Sequence, residues 1–295
     1  METKIIRDVW GTATTELAEK KLFLFDMDGT VYKEEKIFDG TLDLLSYIEE
    51  IGGKYVFITN NSSRSVADYI RKVKGMGIQT DADHFFTSTQ ATVRYLRKHF
   101  PGRRIYCQGT HSLIEELKNS GICVTEQVED DVDMVLVGFD TELTSAKLRK
   151  TCELLQRGIP FVATNPDLRC PVSFGFIPDC GAICNMIEAA TERKPVYIGK
   201  PEPVMVHSVR EKYGYKPEET AVIGDRLYTD IAAGLNAGVM TVCVLTGETT
   251  KDDIKKSDIK PKLTFESVKE LFWALKFGRY HRLVQADPGH STENL

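Results

Sequence analysis

The chain has 295 residues, 42% of them apolar and 27% charged, with a formal net charge of −5. Those values fit a folded globular chain of one large or two ordinary domains, and they exclude the collagenous and disordered classes. A mildly acidic chain has no general attraction for nucleic acid, so any anion it takes must be held by local groups.

The opening METKIIRDVW lacks the continuous apolar segment of a secretory signal, and residues 1–20 predict only a weak helical extension. No apolar run approaches the roughly 18–20 residues of a membrane span. The expected location is therefore cytoplasmic, with no membrane and no nucleic acid polymer among the partners. The seven cysteines are odd in number and mostly embedded in apolar or helical patterns, which suits reduced thiols better than a disulfide framework. Cys180 and Cys184 stand four apart, but no histidine or second cysteine pair accompanies them, so a zinc site is not expected.

Residues 22–25 and 55–58 are continuous apolar runs, each followed by a polar turn and then a helical pattern. Unbroken hydrophobicity of that length marks strands covered on both faces, as in a parallel sheet. Leu42, Leu45 and Ile48 predict a helix over 40–50, and Val66, Ile70 and Val73 predict another, the crossover helices of βαβ units. A short strand at Phe85 and Phe86 precedes a helix with Val93 and Leu96 that stops at Pro101 and Gly102.

Residues 103–193 repeat this grammar in their own right, with strands at 105–107, 122–124, 134–137 and 161–163 and helices around 113–117 and 148–155. The pattern returns at 196–198, 221–223 and 241–245, and a polar tail begins at Leu283. The expected fold class is α/β. A doubly wound, parallel-sheet, Rossmann-like core of residues 1–102 and 194–295 is interrupted by an inserted α/β module, residues 103–193.

Four segments carry chemistry, each at the end of a predicted strand. In LFLFDMDGTVY the strand delivers Asp26, Asp28 follows two residues on, and Gly29 lets the chain turn. Two carboxylates so close repel, and a hard divalent cation such as Mg²⁺ would relieve them and neutralise an incoming phosphate. In KYVFITNNSSRS a hydroxyl and two amides, Thr59, Asn60 and Asn61, precede a helix whose first N–H groups could converge with them on phosphate. In VYIGKPEPVM, Lys200 offers a compact positive charge, and Pro201 blocks immediate helix entry. In TAVIGDRLYTDIAAG, Asp225 closes a strand and Asp230 lies five residues on. Taken singly these read as a surface turn, an N-cap, a solvated lysine and a capping acid.

The ordered series DxDGT, TNN, GKP and GDxxxxD is far more specific. It resembles the haloacid dehalogenase superfamily of phosphatases from about residue 20 to about 275. Placing the insertion between the second and third motifs, together with ATNPD, PDCGA and GKPEP, resembles subfamily IIA. That group includes nitrophenylphosphatases, the N-acetylglucosamine-operon nucleotidase and pyridoxal phosphate phosphatase.

The resemblance implies Mg²⁺-dependent hydrolysis of small phosphate monoesters such as nucleotides, sugar phosphates or p-nitrophenyl phosphate. It casts Asp26 as the nucleophile that becomes an aspartyl phosphate and Asp28 as general acid and base. Mg²⁺ would sit on a side-chain oxygen of Asp26, the backbone carbonyl of Asp28 and the Asp225 carboxylate, supported by Asp230. Thr59, Asn60 and Lys200 would bind the phosphoryl oxygens, with Asn61 close by. The inserted module would be a cap, with Asn165, Asp167, Arg169 and Asp179 as candidate substrate contacts, and related caps suggest a homodimer. Where pyridoxal phosphatases carry histidine before proline, Cys170 stands before Pro171 here. A phosphotransferase or phosphomutase using the same intermediate, or a non-catalytic phosphate-ligand sensor, remains an alternative at this stage.

Overall fold

The structure is a computed structural model and describes residues 6–286. Strand β1 (Leu22–Phe25) is followed by a small hairpin of β2 (Tyr32–Lys33) and β3 (Lys36–Ile37), then α1 (Thr41–Glu50), β4 (Lys54–Thr59) and α2 (Val66–Gly75). Next come β5 (Phe85–Thr87), α3 (Ser88–His99), β6 (Arg104–Gln108), α4 (His111–Asn119), β7 (Cys123–Thr125), β8 (Met134–Val137), α5 (Ser145–Leu155) and β9 (Phe161–Ala163). A hairpin of β10 (Arg169–Val172) and β11 (Gly175–Pro178) leads to α6 (Cys180–Thr191), β12 (Val196–Tyr197) and α7 (Val204–Tyr213). The last described elements are β13 (Thr220–Gly224), α8 (Ala232–Asn236), β14 (Met240–Val244), α9 (Lys251–Lys256), β15 (Leu263–Phe265) and α10 (Val268–Ala286). The polar tail expected from Leu283 is thus helical as far as Ala286, and its remainder lies outside the described residues.

The chain forms two compact units, and β4 carries it from one into the other. The first holds the residues up to Phe57, Met76–Ile78 and those from Val209 on; the second holds Ile58–Gly75 and Gln79–Ser208. In the first unit the parallel strands run in the order β15-β14-β13-β1-β4, with Phe25 opposite Ile223 on one side and Phe57 on the other. All four residues of β1 are buried, which is why its sequence is apolar without alternation. From β1 the next strand of the sheet, β4, lies to one side, whereas β13 is followed by β14 on the other. The gap beyond the carboxyl ends of β1 and β13 is therefore a topological switch point, where open α/β sheets receive ligands.

Helix α1 forms where expected but turns a different face inward. Thr41, Leu44, Leu45 and Ile48 are buried and Leu42 is exposed, because the i, i+3, i+4, i+7 set makes one stripe and Leu42 falls beside it.

The second unit has its own parallel sheet in the order β12-β9-β8-β6-β7. Residues 196–198, placed with the Rossmann-like core by sequence, pair here instead: Val196 lies opposite Val162 and Tyr197 opposite Ala163. The assignment failed because a two-residue strand carries no sign of which sheet it joins. The β10–β11 hairpin was also unforeseen, since its residues are exposed or half-buried and include Pro171 and Pro178, weak strand signals. Val135, Val137, Leu154, Phe161 and Ile183 pack the core, and Cys180 and Cys184 sit among them as buried thiols. Among the described residues no helix is long and apolar enough to cross a membrane.

Glu116, on α4, is an acid in an apolar setting within this unit. Burial pushes its carboxyl up to about 7; a hydrogen bond from the Val66 N–H opposes the shift and the Asp68 charge adds to it. Its Oε2 is buried without a hydrogen-bond partner. The folded chain therefore holds this proton at pH values where the unfolded chain has released it. The resulting stabilisation is complete below the ordinary glutamate value and disappears as pH rises through about 7. Glu116→Gln is expected to raise the thermal midpoint over the native chain at pH 8 by an amount equivalent to no more than ~3 kcal/mol. The two should differ little at pH 5, so an equal gain at both values in melting curves would refute the assignment.

Candidate active site

Asp26 leaves β1 and Asp225 leaves β13, so the pairing of these two strands brings both carboxylates to the switch point. The Asp26 N–H continues that pairing with a 2.8 Å bond to the Ile223 carbonyl. Asp230 arrives from the next segment, Leu227–Ile231, which winds as a single π-helical turn. Such wide turns occur often at functional sites. One oxygen from each of Asp26, Asp225 and Asp230 lies within 4.8 Å of the others; Asp26 is half-buried and the other two are buried.

Neighbouring groups fix these acids in place. Asp225 accepts from the Glu248 N–H at 2.7 Å and the Thr30 hydroxyl at 3.3 Å, and Asp230 accepts from the Arg226 N–H at 3.1 Å. Glu248 itself lies 3.2 Å from the Arg226 guanidinium and takes the Tyr228 hydroxyl at 3.2 Å.

Space is reserved for the acids by glycine. A Cβ on Gly29, whose φ is +88°, would stand 2.6 Å from an Asp225 oxygen; one on Gly224 would stand 2.2 Å from the Asp230 Cβ. The field of the acids reaches Cys243, whose thiol is pushed up to about 12 by burial and then by the charges of Asp225 and Asp230.

Three carboxylates gathered at this spacing form a set of hard oxygen donors. Around a small divalent ion with ligands at ~2.1 Å, oxygens sit about 3 to 4 Å apart, so the cluster fits Mg²⁺. Asp28, half-buried in the tight Asp26–Tyr32 turn where Gly29 N–H bonds the Tyr32 carbonyl at 2.8 Å, is not one of the three. The ligand expected from Asp28 is its backbone carbonyl.

In the second unit the TNN and GKP segments meet. Asn60 donates to the Lys200 carbonyl at 2.9 Å and accepts from the Lys200 N–H at 2.8 Å. The Lys200 ammonium, buried, donates to the Ile58 carbonyl at 3.1 Å. Thr59 accepts from the Asn61 N–H at 3.2 Å through its hydroxyl oxygen, which leaves the hydroxyl proton for another acceptor. The Asn61 side-chain oxygen takes the Ser63 N–H and hydroxyl at 2.9 and 2.7 Å, making a turn.

The helix-start N–H groups expected beside Thr59 are engaged elsewhere. Helix α2 begins only at Val66, whose N–H bonds Glu116, while the Asp68 N–H bonds Ser65 in a reciprocal cap.

Of the four candidate cap contacts, Asn165, Asp167 and Asp179 are buried and bonded to one another: Asn165 donates to Asp167 at 2.9 Å and to Asp179 at 3.0 Å. Arg169 is exposed and lies over the Phe176 ring. Glu248 and Gly247 were missed by sequence because nothing local in TGET signals proximity to Asp225, some twenty residues earlier. The one usable hint was a glycine soon after a strand, three residues past Val244 as Gly29 is four past Phe25.

A family model described as haloacid dehalogenase-like hydrolase matches residues 23–123, and one described as HAD-hydrolase-like matches 197–271. The acid sugar phosphatase of Staphylococcus saprophyticus is 34% identical over 256 residues, 87% of this chain and 98% of that protein. A crystal structure of 4-nitrophenylphosphatase from Thermotoga maritima superposes with a TM-score of 0.85 and 40% identity, covering 88% of this chain and 99% of that one. The glycerol phosphate phosphatase of Mycobacterium tuberculosis, solved in complex with magnesium, superposes with a TM-score of 0.81 and 27% identity over 86% of this chain and 77% of that one.

A Cβ on Gly247 would fall 1.9 Å from Asp225 Oδ2. Asp225 Cγ and Cβ would lie 2.4 and 2.7 Å from it as well, so in Gly247→Ala the exposed loop or the whole Asp225 side chain must shift, displacing the carboxylate. The rise that saturating Mg²⁺ gives the thermal midpoint of the native chain should largely vanish in the variant. A full Mg²⁺-dependent rise in the variant would refute this account of Asp225.

Proposed function

The chain belongs to the haloacid dehalogenase-like hydrolases, in subfamily IIA with its nitrophenylphosphatase and acid sugar phosphatase relatives, and on that premise we propose that Asp26 attacks small phosphate monoesters as a nucleophile. The observation that carries this reading is the cluster of Asp26, Asp225 and Asp230 at the carboxyl ends of β1 and β13.

Asp26 forms an oxygen–phosphorus bond as the substrate's ester oxygen departs, and Asp28 gives that oxygen its proton. The Asp28 carboxylate then takes a proton from water as the water oxygen attacks the aspartyl phosphate, releasing inorganic phosphate and restoring Asp26. Thr59 and Lys200 receive the phosphoryl oxygens, with Asn60 and Asn61 forming the backbone around them. Mg²⁺, held by Asp26, the Asp28 carbonyl and Asp225 with Asp230 in support, would neutralise charge between the carboxylates and the phosphate.

Sugar phosphates are the favoured substrate class. The reading rests on the acid sugar phosphatase relatives, which match most of this chain and nearly all of their own length. We assign residues 103–193 the role of a cap that excludes water from the reacting phosphate, and a homodimer through that cap is consistent with the same family.

Hydrolysis of p-nitrophenyl phosphate should require Mg²⁺ and stop in excess EDTA. Asp26→Asn should lose on the order of 10³-fold or more in kcat, and Asp28→Asn about 10² to 10⁴-fold. Acid quenching during turnover of ³²P-labelled substrate should leave label on the native chain that hydroxylamine removes. Full activity in EDTA, or in Asp26→Asn, would end this proposal.

A further inference from the structure

Asn60 stands in the TNN motif, where its amide invites assignment as a phosphate ligand. Its hydrogen bonds point to a different task. A side-chain amide has two donor hydrogens. One goes to the Lys200 carbonyl at 2.9 Å and the other to Asp167 Oδ2 at 2.8 Å, while Oδ1 accepts the Lys200 N–H at 2.8 Å. Both donors are thus spent inside the protein, and both polar groups of the Lys200 backbone are held by one side chain.

The surroundings are built for this clamp. Gly199 lets the amide lie against the chain: a Cβ there would stand 2.5 Å from Asn60 Oδ1 and 2.8 Å from the Thr164 carbonyl. The Gly199 N–H bonds that carbonyl at 2.8 Å, and the Asn60 carbonyl takes the Ser88 hydroxyl at 2.7 Å. Asp167, which receives the second Asn60 hydrogen, is bonded in turn to Asn165, which reaches Asp179 at the start of α6. Three of the four residues read by sequence as candidate cap contacts, Asn165, Asp167 and Asp179, therefore back this clamp.

We propose that Asn60 is a positioning residue for Lys200 and makes no bond to the phosphate. Asn60 holds the Lys200 peptide so that the buried ammonium keeps one direction, and Asp167, Asn165 and Asp179 keep the amide from turning. This rests on the reading of Lys200 as a phosphate ligand given above.

A double-mutant cycle tests it, with kcat/KM for p-nitrophenyl phosphate measured in the native chain, Lys200→Met, Asn60→Ala and the pair. Lys200→Met should lose on the order of 10³-fold and Asn60→Ala on the order of 10²-fold. The pair should be no worse than Lys200→Met, because Asn60 has nothing left to position. Losses that multiply in the pair would overturn the proposal. Asn60→Asp, of equal size, repeats the cycle if Asn60→Ala does not fold.

A measurement on the native protein stands apart from folding: its crystal structure with Mg²⁺ and tungstate, a phosphate mimic. Both Asn60–Lys200 bonds should persist, and an Asn60 nitrogen within hydrogen-bond distance of a tungstate oxygen would overturn the proposal. A Lys200→Met variant of undiminished activity would instead refute the reading of Lys200, which separates the two failures.

Discussion

Repulsion among Asp26, Asp225 and Asp230 is the constraint around which the first unit is arranged. Two like charges 4 Å apart cost about 1 kcal/mol in water and nearer 4 kcal/mol at an effective dielectric of 20, and here three acids lie within 4.8 Å of one another. Nothing in apolar packing would gather them. They are brought together by β1–β13 pairing, whose register puts Asp26 and Asp225 just past the same sheet edge, and by a π turn that returns Asp230 beside them. Slipping that register by one residue would send every side chain of Leu22–Phe25 to the opposite buried face and carry Asp26 out of line with Asp225, so the packing of Leu22–Phe25 and the position of Asp26 are one specification.

The local devices follow from the same need. Gly29 and Gly224 keep Cβ atoms out of the space the acids occupy, and N–H groups of residues 226 and 248 aim at two of the three carboxylates. Hydrogen bonds to the ionised form lower the cost of keeping it charged. They do not cancel the repulsion, and a divalent cation held by the same oxygens would do so. The thiol of Cys243 registers what remains, raised to about 12 by burial and by two of the same charges.

What sequence made legible was what continuous patterns encode. The runs at 22–25, 134–137 and 161–163 are strands to the residue, because strands covered on both faces must be apolar throughout. Asp26 and Asp225 were found for the same reason, since each stands directly past such a strand. Other features stayed hidden. The face of α1 was misplaced onto Leu42 because three leucines within four positions admit more than one stripe. Strand β12 is too short to declare its sheet, and the β10–β11 hairpin has no buried face to set a period. The bonds of Asn60 to the Lys200 backbone and to Asp167 were not foreseen either. An amide bonded to a backbone 140 residues away looks, in sequence, the same as an amide awaiting a ligand.

The second unit shows why a switch point alone does not make a site. Its sheet also reverses, between β6 and β8, and by topology its strand ends should open a crevice as those of β1 and β13 do. The chain fills that crevice itself. Leu113 lies so close over the strand ends that a Cβ on Gly138 would meet it at 2.3 Å, and the Ser62 hydroxyl caps the Phe139 N–H at 2.9 Å. Lys147 closes the polar remainder, donating to the Gly109 carbonyl at 2.8 Å and pairing with buried Asp140 at 3.0 Å. An acid with its own lysine is electrically settled and has no call on a cation. At the first switch point the chain gathers the carboxylates of Asp26, Asp225 and Asp230 into one cluster. The two crevices therefore differ in what occupies them rather than in topology: packed side chains and one acid–lysine pair in the second unit, three gathered acids in the first.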